Sequence, residues 1–377
     1  MFLNILSQRN LVSTVSTDCL FEFEDLVVQT CGAQILAPIA RPVKIRAHHK
    51  PTLINRLSEK VTRRLIGAFE PLSFSLPSQH SPKVLLIPAI HGHQLHALSA
   101  IKDWRKQFDI VAAYVFDAWN FDIYPDYVRQ FDHLFVPMPE LVEPLHQTFQ
   151  IPVSFLPFGS DALQHGSNED GRFIDLLSYG RIPEAFHRAF SEAFNQPGSE
   201  QLYYRATPRA SSSYPNRPYR DREDIRDRRL FYQLLRRTKL AIAFDTMYPG
   251  MREFPYPFIT IRWFECSATG CGIVGKRPTT PAADELLNWR DATIELPDNP
   301  QRSVEMIRSL LDDPHRLQAI RSRNYKHNLA RHDWRWRIEQ MLQTLGLPIP
   351  HPLERTLHLL RLKAAIVAES NQMMISS

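Results

Sequence analysis

The chain has 377 residues, of which 44% are hydrophobic and 23% are charged, values that are ordinary for a soluble globular protein. Because a single hydrophobic core stops growing at about 250–300 residues, this length predicts two domains. The formal net charge of +5 is too small for a protein that coats nucleic acid, and it indicates local sites for anionic ligands instead.

The cysteines and the N-terminus favour a cytoplasmic protein. The four cysteines form no C-x-x-C pair, and we interpret them as small core residues in a reducing compartment. The N-terminus lacks a basic region followed by a continuous apolar stretch, so the sequence predicts no signal peptide. No apolar run approaches the roughly 20 residues that span a bilayer.

In the first half of the chain, apolar runs alternate with helical patterns. Runs such as KVLLI at 83–87 are typical of strands in a parallel sheet that is covered on both faces. We predict strands at 2–6, 34–36, 83–87, 110–116, 133–136 and 153–156, with helices at 18–30, 53–69, from after 93 to about 106, and 140–149. This alternation predicts an open α/β sheet in a first domain, 1–157.

The second half repeats this element order after a polar, glycine-containing segment, 158–172, which is the predicted linker. The second domain, 172–345, has predicted strands at 173–179, 202–204, 240–244, 273–274 and 292–296, and it ends in helices at 303–311, 315–330 and 334–345. The amphipathic helix at 353–368, within 346–377, is expected to pack back on the N-terminal domain, and a membrane surface is the alternative. We therefore predict two Rossmann-like α/β domains facing across a cleft, with C-terminal helices.

The segment 258–276, FITIRWFECSATGCGIVGK, predicts a helix that ends at a glycine and leads into a buried strand. Thr260 suits the N-cap and Gly270 suits the position just past the helix end. The G-x-G-x-x-G pattern at 270–275 is rejected as a dinucleotide or phosphate loop, because such loops need a strand before the glycines and a helix after them.

An anion site is predicted at the start of this helix. The helix N-terminus presents backbone N–H groups from Ile261 onward, and Thr260 and Arg262 add a hydroxyl and a positive charge. Glu265 lies about 7 Å further along the axis, which suits a diphosphate at the helix tip and a carboxylate at a ribose diol. The alternative is that Arg262 and Glu265 merely pair on an exposed face.

Further candidates follow the predicted strands, at the edge where open α/β sheets bind ligands. Gly180 and Arg181 follow one strand, and Arg181 either clamps a phosphate or is a surface arginine. His91 and Asp117 follow two strands of the first half and could take a proton from an attacking hydroxyl, with a loop-polar or capping role as the alternative. No metal is expected, since the sequence has no Asp-x-Asp and His91-x-His93 has no third ligand at credible spacing.

Several sequence blocks resemble a known family. ITIRWFECSATGCGIVGKRP at 259–278, DATIELPDNP at 291–300, LLDDP at 310–314 and RHDWRWRIEQML at 331–342 resemble the C-terminal domain of GT-B glycosyltransferases. They are most similar to the group-1-like branch, which includes spore-maturation-type proteins. FDHLFVPMPELVEPL at 131–145 and VSFLPFGSD at 153–161 resemble the interdomain end of the first half of such enzymes more loosely.

The resemblance implies a transferase that uses a nucleotide-activated sugar, with two Rossmann-like domains and no obligatory metal. It also implies that Glu265 meets the ribose hydroxyls and that the turn of Gly180 and Arg181 faces the diphosphate. Many relatives carry a second glutamate eight residues upstream, where this chain has Pro257. The role of that second glutamate in sugar recognition therefore does not carry over.

We therefore expect a cytoplasmic glycosyltransferase without a cofactor, whose second domain binds a nucleotide-sugar and whose acceptor is a glycan, a lipid or a small molecule. Peripheral contact with the inner membrane face is an additional expectation. No nucleic-acid partner is expected, because the arginines at 205–229 are interleaved with acidic residues in a pattern typical of a solvated helix. The alternatives are a non-catalytic nucleotide-sugar-binding or partner-binding protein and a sugar-nucleotide epimerase.

Overall fold

The computed structural model describes residues 1–12, 17–41, 68–77, 81–206, 224–251 and 255–376, and it describes the backbone alone at 224–227 and 370–376. The predicted helix at 53–69 lies outside these ranges except for its last two residues. The chain divides into two compact units. Unit 1 contains Met1–Val136 and Leu141–Phe155, and unit 2 contains Pro137–Glu140, Leu156–Ala210 and Ile225–Ser377.

Unit 1 is built on a sheet of six strands. These are β1 (Phe2–Leu6), β2 (Gln34–Leu36), β3 (Lys83–His91), β4 (Ile110–Asp117), β5 (His133–Val136) and β6 (Val153–Phe155). All neighbours are parallel, in the order β2-β1-β3-β4-β5-β6. The α-helices among the described residues of this unit are α1 (Asp18–Cys31), α2 (Trp104–Gln107) and α3 (Val142–Phe149).

The strands β3 and β4 lie in the middle of this sheet, and their sequences explain that position. Every residue from Val84 to Ala89 is buried, as expected for a strand covered on both faces. The register pairs the last residue of β3, His91, with the last residue of β4, Asp117. Two polar side chains are thereby brought together at the carboxyl edge of the sheet.

Unit 2 is built on a second parallel sheet. Its strands are β7 (Ile174–Tyr179), β8 (Tyr203–Ala206), β9 (Thr238–Phe244), β10 (Gly272–Lys276) and β11 (Ile294–Glu295), in the order β11-β10-β9-β7-β8. Its helices are α4 (Ala162–His165), α5 (Glu184–Phe194), α6 (Asp224–Arg236), α7 (Ile261–Ala268), α8 (Pro281–Leu286), α9 (Pro300–Leu311), α10 (Pro314–Arg331), α11 (Trp334–Thr344) and α12 (His351–Ser376). No helix in the described part of the chain combines the length and apolarity that crossing a bilayer requires.

Helices cover both faces of the second sheet. Side chains of α5 and α9, such as Phe190 and Ile307, form a core with Leu240 and Val274 of the strands. α7 packs against β9, β10 and α10, and α12 packs on α10 and α11. The predicted contact of α12 with the N-terminal domain stays a prediction.

The predicted α/β class with two parallel sheets is confirmed, but the helix predicted to reach residue 106 is wrong. A 3₁₀ helix occupies Gly92–Ala100 instead, followed by the single turn of α2. Leu95, Leu98 and Ile101 are all buried, and a repeat of three residues matches the 3₁₀ helix, in which side chains three apart lie above one another.

The segment 158–172, predicted as a linker, is instead folded into unit 2. It contains α4, and Ser160 pairs with Asp333 in a parallel bridge. Arg172 is buried and donates a hydrogen bond to the Thr238 carbonyl at 2.7 Å. Ser160 and Arg172 of this segment therefore satisfy buried backbone carbonyl groups, while Gln164, Glu169 and Asp170 are exposed.

Candidate functional site

The turn after β7 has a conformation that favours glycine. Gly180 has φ 74°, in the left-handed region. A Cβ atom at this position would overlap the Nη2 atom of Arg262. Glycine thus allows both the turn and the close approach of the guanidinium.

Arg262, in the first turn of α7, lies across this turn. Its Nη1 donates a hydrogen bond to the carbonyl oxygen of Arg181 at 3.2 Å, and its guanidinium carbon is 5.1 Å from the centre of the Tyr179 ring. The helix begins at Ile261 with Thr260 as N-cap, although the Thr260 side chain makes no capping hydrogen bond. The structure therefore brings together the predicted phosphate-binding turn and the predicted anion-binding helix tip.

Glu265, one turn further along α7, is buried and only 2% exposed. Its Oε2 accepts a hydrogen bond from the Tyr179 hydroxyl at 3.3 Å, and its Oε1 forms an ion pair with Arg228. The alternative in which Glu265 pairs with Arg262 on an exposed face is therefore wrong. Its role toward a ribose stays a prediction.

Arg228 was not among the predicted site residues. It was assigned to a solvated helix face, yet its side chain is only 16% exposed. The guanidinium lies over the Tyr232 ring, 4.7 Å from its centre, and donates to the Tyr232 hydroxyl at 3.0 Å. The available signal was the spacing of four residues between Arg228 and Tyr232, which places an arginine and an aromatic ring side by side on one helix.

Tyr179 connects these groups. Burial, together with the nearby Cys266 and Glu265, holds the pKa of the Tyr179 hydroxyl well above its usual value. The hydroxyl therefore keeps its proton and donates a hydrogen bond to the Glu265 carboxylate. The same oxygen lies 3.3 Å from the Cys266 sulfur.

In unit 1, His91 and Asp117 form a second polar pair. The His91 Nδ1 atom is 3.7 Å from the Asp117 Oδ2 atom, and the side chains are 42% and 28% exposed. The Gln94 side-chain oxygen accepts the backbone N–H of His91 at 3.1 Å, and the His91 ring stacks on His93 with centres 5.6 Å apart. An imidazole beside a carboxylate can take up a proton, so the pair suits acid–base chemistry.

The two units thus contain different kinds of site. Unit 2 contains the group of Gly180, Arg181, Arg262 and Glu265, and unit 1 contains the histidine–carboxylate pair. In the described part of the chain, no three histidine, cysteine or acidic side chains are arranged to hold a metal ion.

Residues 187–343 match the model of a family described as glycosyl transferase-like. No curated protein sequence matches the chain. The matched region includes Arg228 and Glu265 but neither Gly180 nor the His91–Asp117 pair.

Solved structures with a similar fold include Anabaena HepE in complex with UDP-glucose, with a TM-score of 0.50 and 12% identity over 92% of this chain and 99% of that chain. The pneumococcal O-GlcNAc transferase GtfA in complex with UDP and GlcNAc has a TM-score of 0.42 and 13% identity over 73% of this chain, which spans 57% of the length of GtfA. The spinosyn rhamnosyltransferase SpnG, complexed with spinosyn aglycone, has a TM-score of 0.37 and 14% identity over 92% of this chain and 100% of that chain. At such identities the likeness to HepE concerns the fold alone, which is the predicted GT-B class. The spore-maturation-type branch stays a prediction.

Proposed function

We propose that this chain, whose residues 187–343 form a glycosyltransferase-like domain, transfers a sugar from a nucleotide-activated donor to an acceptor hydroxyl. The observation that carries the proposal is the contact between the turn after β7 and the first turn of α7, beside which Glu265 is held by Tyr179 and Arg228. Both elements lie at the carboxyl end of a parallel sheet, where open α/β sheets bind ligands.

The diphosphate of the donor is proposed to lie at the start of α7. Arg181 and Arg262 contribute positive charge there, and the backbone N–H groups from Ile261 onward contribute hydrogen-bond donors aligned with the helix dipole. These groups stabilise the negative charge that develops on the leaving nucleotide. In this proposal, protein groups rather than a metal ion or a cofactor stabilise the negative charge of the leaving nucleotide.

The ribose is proposed to bind Glu265. An ionised carboxylate offers about four positions to hydrogen-bond donors, of which Arg228 and Tyr179 occupy two. The remaining positions can accept the ribose hydroxyls. Arg228 and Tyr179 then fix the orientation of the carboxylate before the donor arrives, which lowers the ordering cost of binding.

The acceptor is proposed to lose its proton to the pair in unit 1. His91 is the candidate base, and Asp117 would stabilise the positive charge that the imidazole gains. The acceptor is a glycan, a lipid or a small molecule in this proposal. We also propose a cytoplasmic location, with peripheral contact at the inner membrane face.

Thermal denaturation with a panel of nucleotides tests donor binding directly. The panel contains nucleoside diphosphates and nucleotide-sugars, including UDP and UDP-glucose. A ligand at 100 times its dissociation constant stabilises the folded state by about 2.7 kcal/mol, so a donor should raise the Tm in a saturable way. We expect Glu265→Gln to remove most of this rise, because the amide is a poorer acceptor for the ribose hydroxyls.

Glu192→Gln is the matched control, since Glu192 is an exposed residue of α5 in the same unit. It should leave the ligand-induced rise unchanged. A Glu265→Gln variant that binds the donor as tightly as the unmodified protein would remove Glu265 from the ribose site. Failure of every nucleotide to raise the Tm would contradict the donor site itself.

A non-catalytic nucleotide-sugar-binding protein remains the second candidate, favoured by the ion pair that already engages Glu265. Product analysis with donor and an acceptor mixture separates the two functions. Transfer or hydrolysis of the sugar supports the enzyme. Saturable binding without any turnover supports the binding protein.

A further inference from the structure

Helix α12 is apolar on two opposite sides. The side chains of its inner side are buried in the contact with α10 and α11, and they are Leu353, Leu357, Leu360, Ala364 and Val367. Leu359, Leu362 and Ile366 are instead 43%, 47% and 61% exposed. At about 100° per residue these three lie within roughly 60° of one another and nearly opposite the buried side. We call them the outer stripe.

Two positive charges and one negative charge lie beside the outer stripe. Arg355 lies one turn before Leu359 on the same side of the helix, and Lys363 lies beside Leu362 and Ile366. Glu369 lies one turn past Ile366, at the C-terminal end of the stripe, and Glu354 lies on another side of the helix. The centre of the stripe is therefore bordered by cations, whose long side chains can extend past apolar groups to reach anions.

Arg361, which lies about 100° around α12 from Leu362, contacts a tryptophan of α11. The guanidinium of Arg361, which is exposed, lies over the ring of Trp336 on α11, 4.9 Å from its centre. Trp336 is partly exposed and donates its ring N–H to the Leu329 carbonyl at 2.9 Å. Arg361 therefore adds a positive charge to α12 without bordering the outer stripe.

From this surface we infer that the outer stripe of α12 binds the face of an anionic lipid bilayer, with the helix lying in the plane of the membrane. Three apolar side chains supply the area that enters the headgroup boundary, and the bordering cations pair with lipid phosphates. A protein partner is the less suitable occupant, because lysine is depleted in protein interfaces, whereas both cations beside the stripe can pair with lipid phosphates.

The inference names the surface for the peripheral membrane contact that is part of the proposed function, and in that respect rests on it, but it does not depend on the donor site. Three apolar side chains give only modest affinity, so anionic lipid is required for binding in this inference. If it holds, acceptors anchored in a membrane would be brought to the protein at high local concentration.

Co-sedimentation of the full chain with vesicles tests the inference. The vesicles are phosphatidylcholine alone, or phosphatidylcholine with phosphatidylglycerol, each at low and at physiological salt. We expect binding to the anionic vesicles that weakens as salt rises, because screening reduces the attraction between cations and lipid phosphates. Leu362→Asp with Ile366→Asp should weaken this binding at least about tenfold, since both changes put negative charge into the apolar contact.

Met306→Asp is the matched control, because Met306 on α9 is 40% exposed and lies outside the stripe. It should bind vesicles like the unmodified chain. The Tm and the nucleotide response of the double variant should also be unchanged, which separates loss of membrane binding from loss of fold or of the donor site. No binding to anionic vesicles, or equal binding by the double variant, would overturn the inference.

A second copy of the chain is the competing occupant, and sedimentation velocity without lipid distinguishes it. We expect the same sedimentation coefficient for the unmodified chain and for the double variant. A dimer that the double variant abolishes, together with no vesicle binding, would show that the stripe is a self-association surface and would overturn the inference.

Discussion

At Gly180, backbone conformation and a side-chain contact restrict the residue type together. The left-handed φ of 74° costs a residue with a Cβ roughly 1–2 kcal/mol, and the added Cβ would also overlap Arg262. The overlapping atom is the far end of a flexible side chain, so Arg262 can move aside. We expect Gly180→Ala to lower stability by about 1–2 kcal/mol and to weaken donor binding more strongly, because Arg262 leaves its place at the helix tip.

Gly198→Ala separates the two effects. Gly198 has φ 87° but no atom within 4 Å of an added Cβ. Urea unfolding should show a similar loss of stability in both variants, whereas nucleotide titrations should show weaker donor binding only for Gly180→Ala. Equal donor affinities in the two variants would show that the position of Arg262 does not matter for binding.

The pair of Arg228 and Glu265 matters for stability as well as for the site. Removing one partner of a buried ion pair leaves the other charge without compensation. We expect Arg228→Met to lower the free energy of unfolding by about 3 kcal/mol, as measured by urea denaturation. Arg229→Met, at an exposed position of the same helix, should change it by less than about 0.5 kcal/mol.

The double variant Arg228→Met with Glu265→Gln tests the origin of this loss. It should be more stable than Arg228→Met alone, because the uncompensated carboxylate is gone. Additive losses would mean that the Arg228 contacts with Tyr232, rather than the ion pair, dominate its contribution.

At the scale of elements, a buried carboxyl group joins β1 to α1. Glu24 on α1 accepts hydrogen bonds from the Ser7 hydroxyl at 2.6 Å and from the Arg9 Nε at 2.8 Å. Burial raises the pKa of the Glu24 carboxyl to about 7, although Arg9 acts in the opposite direction. The junction between the first strand and the first helix therefore responds to pH near neutrality.

Glu24→Gln tests this response. The pKa of Glu24 in the folded chain lies above the value of about 4.3 expected when the chain is unfolded, so the folded state holds the proton more tightly. This contribution to stability is complete below pH of about 4 and is lost as pH rises through 7. The free energy of unfolding of the unmodified chain, minus that of Glu24→Gln, should fall over this range, by at most about 1.4 kcal/mol per pH unit.

Histidines whose pKa burial lowers, such as His133 and His332, change stability in the opposite direction. The unmodified chain and the Glu24→Gln variant share these histidines, so the effect of the histidines cancels when the two free energies of unfolding are subtracted. Urea denaturation of both proteins at a series of pH values measures the difference between their free energies of unfolding. A difference that stays constant between pH 5 and 8 would show that Glu24 remains ionised in the folded state.

At the scale of the whole molecule, the sequence predicted the architecture better than the contacts of the site. Continuous apolar runs identified both parallel sheets, because strands covered on two faces are apolar throughout and too short for most helices. Gly180 and Arg262 were both predicted, since a glycine turn and a helix tip have local signatures. Arg228 was not, because its contact with Glu265 depends on how α6 and α7 pack, and no spacing within the sequence encodes that packing.

The division of the chain into two units predicts that donor binding and proton transfer can be separated by substitution. Asp117→Asn should lower kcat about 10²–10⁴-fold by weakening the base, while the Kd of the donor stays unchanged. Asp122→Asn, an exposed acidic position in the same unit, should alter neither quantity. Calorimetric titration with the donor and initial rates of transfer measure the two effects.

The double variant Asp117→Asn with Glu265→Gln completes this test. Asp117 and Glu265 belong to different units, and their described ion-pair partners, His91 and Arg228, are different residues. Their effects on the free energy of the transition state should therefore add to within about 0.5 kcal/mol, and the donor Kd should equal that of Glu265→Gln alone. If Asp117→Asn weakened donor binding as much as Glu265→Gln does, Asp117 would belong to the donor site and another group would have to take the proton from the acceptor.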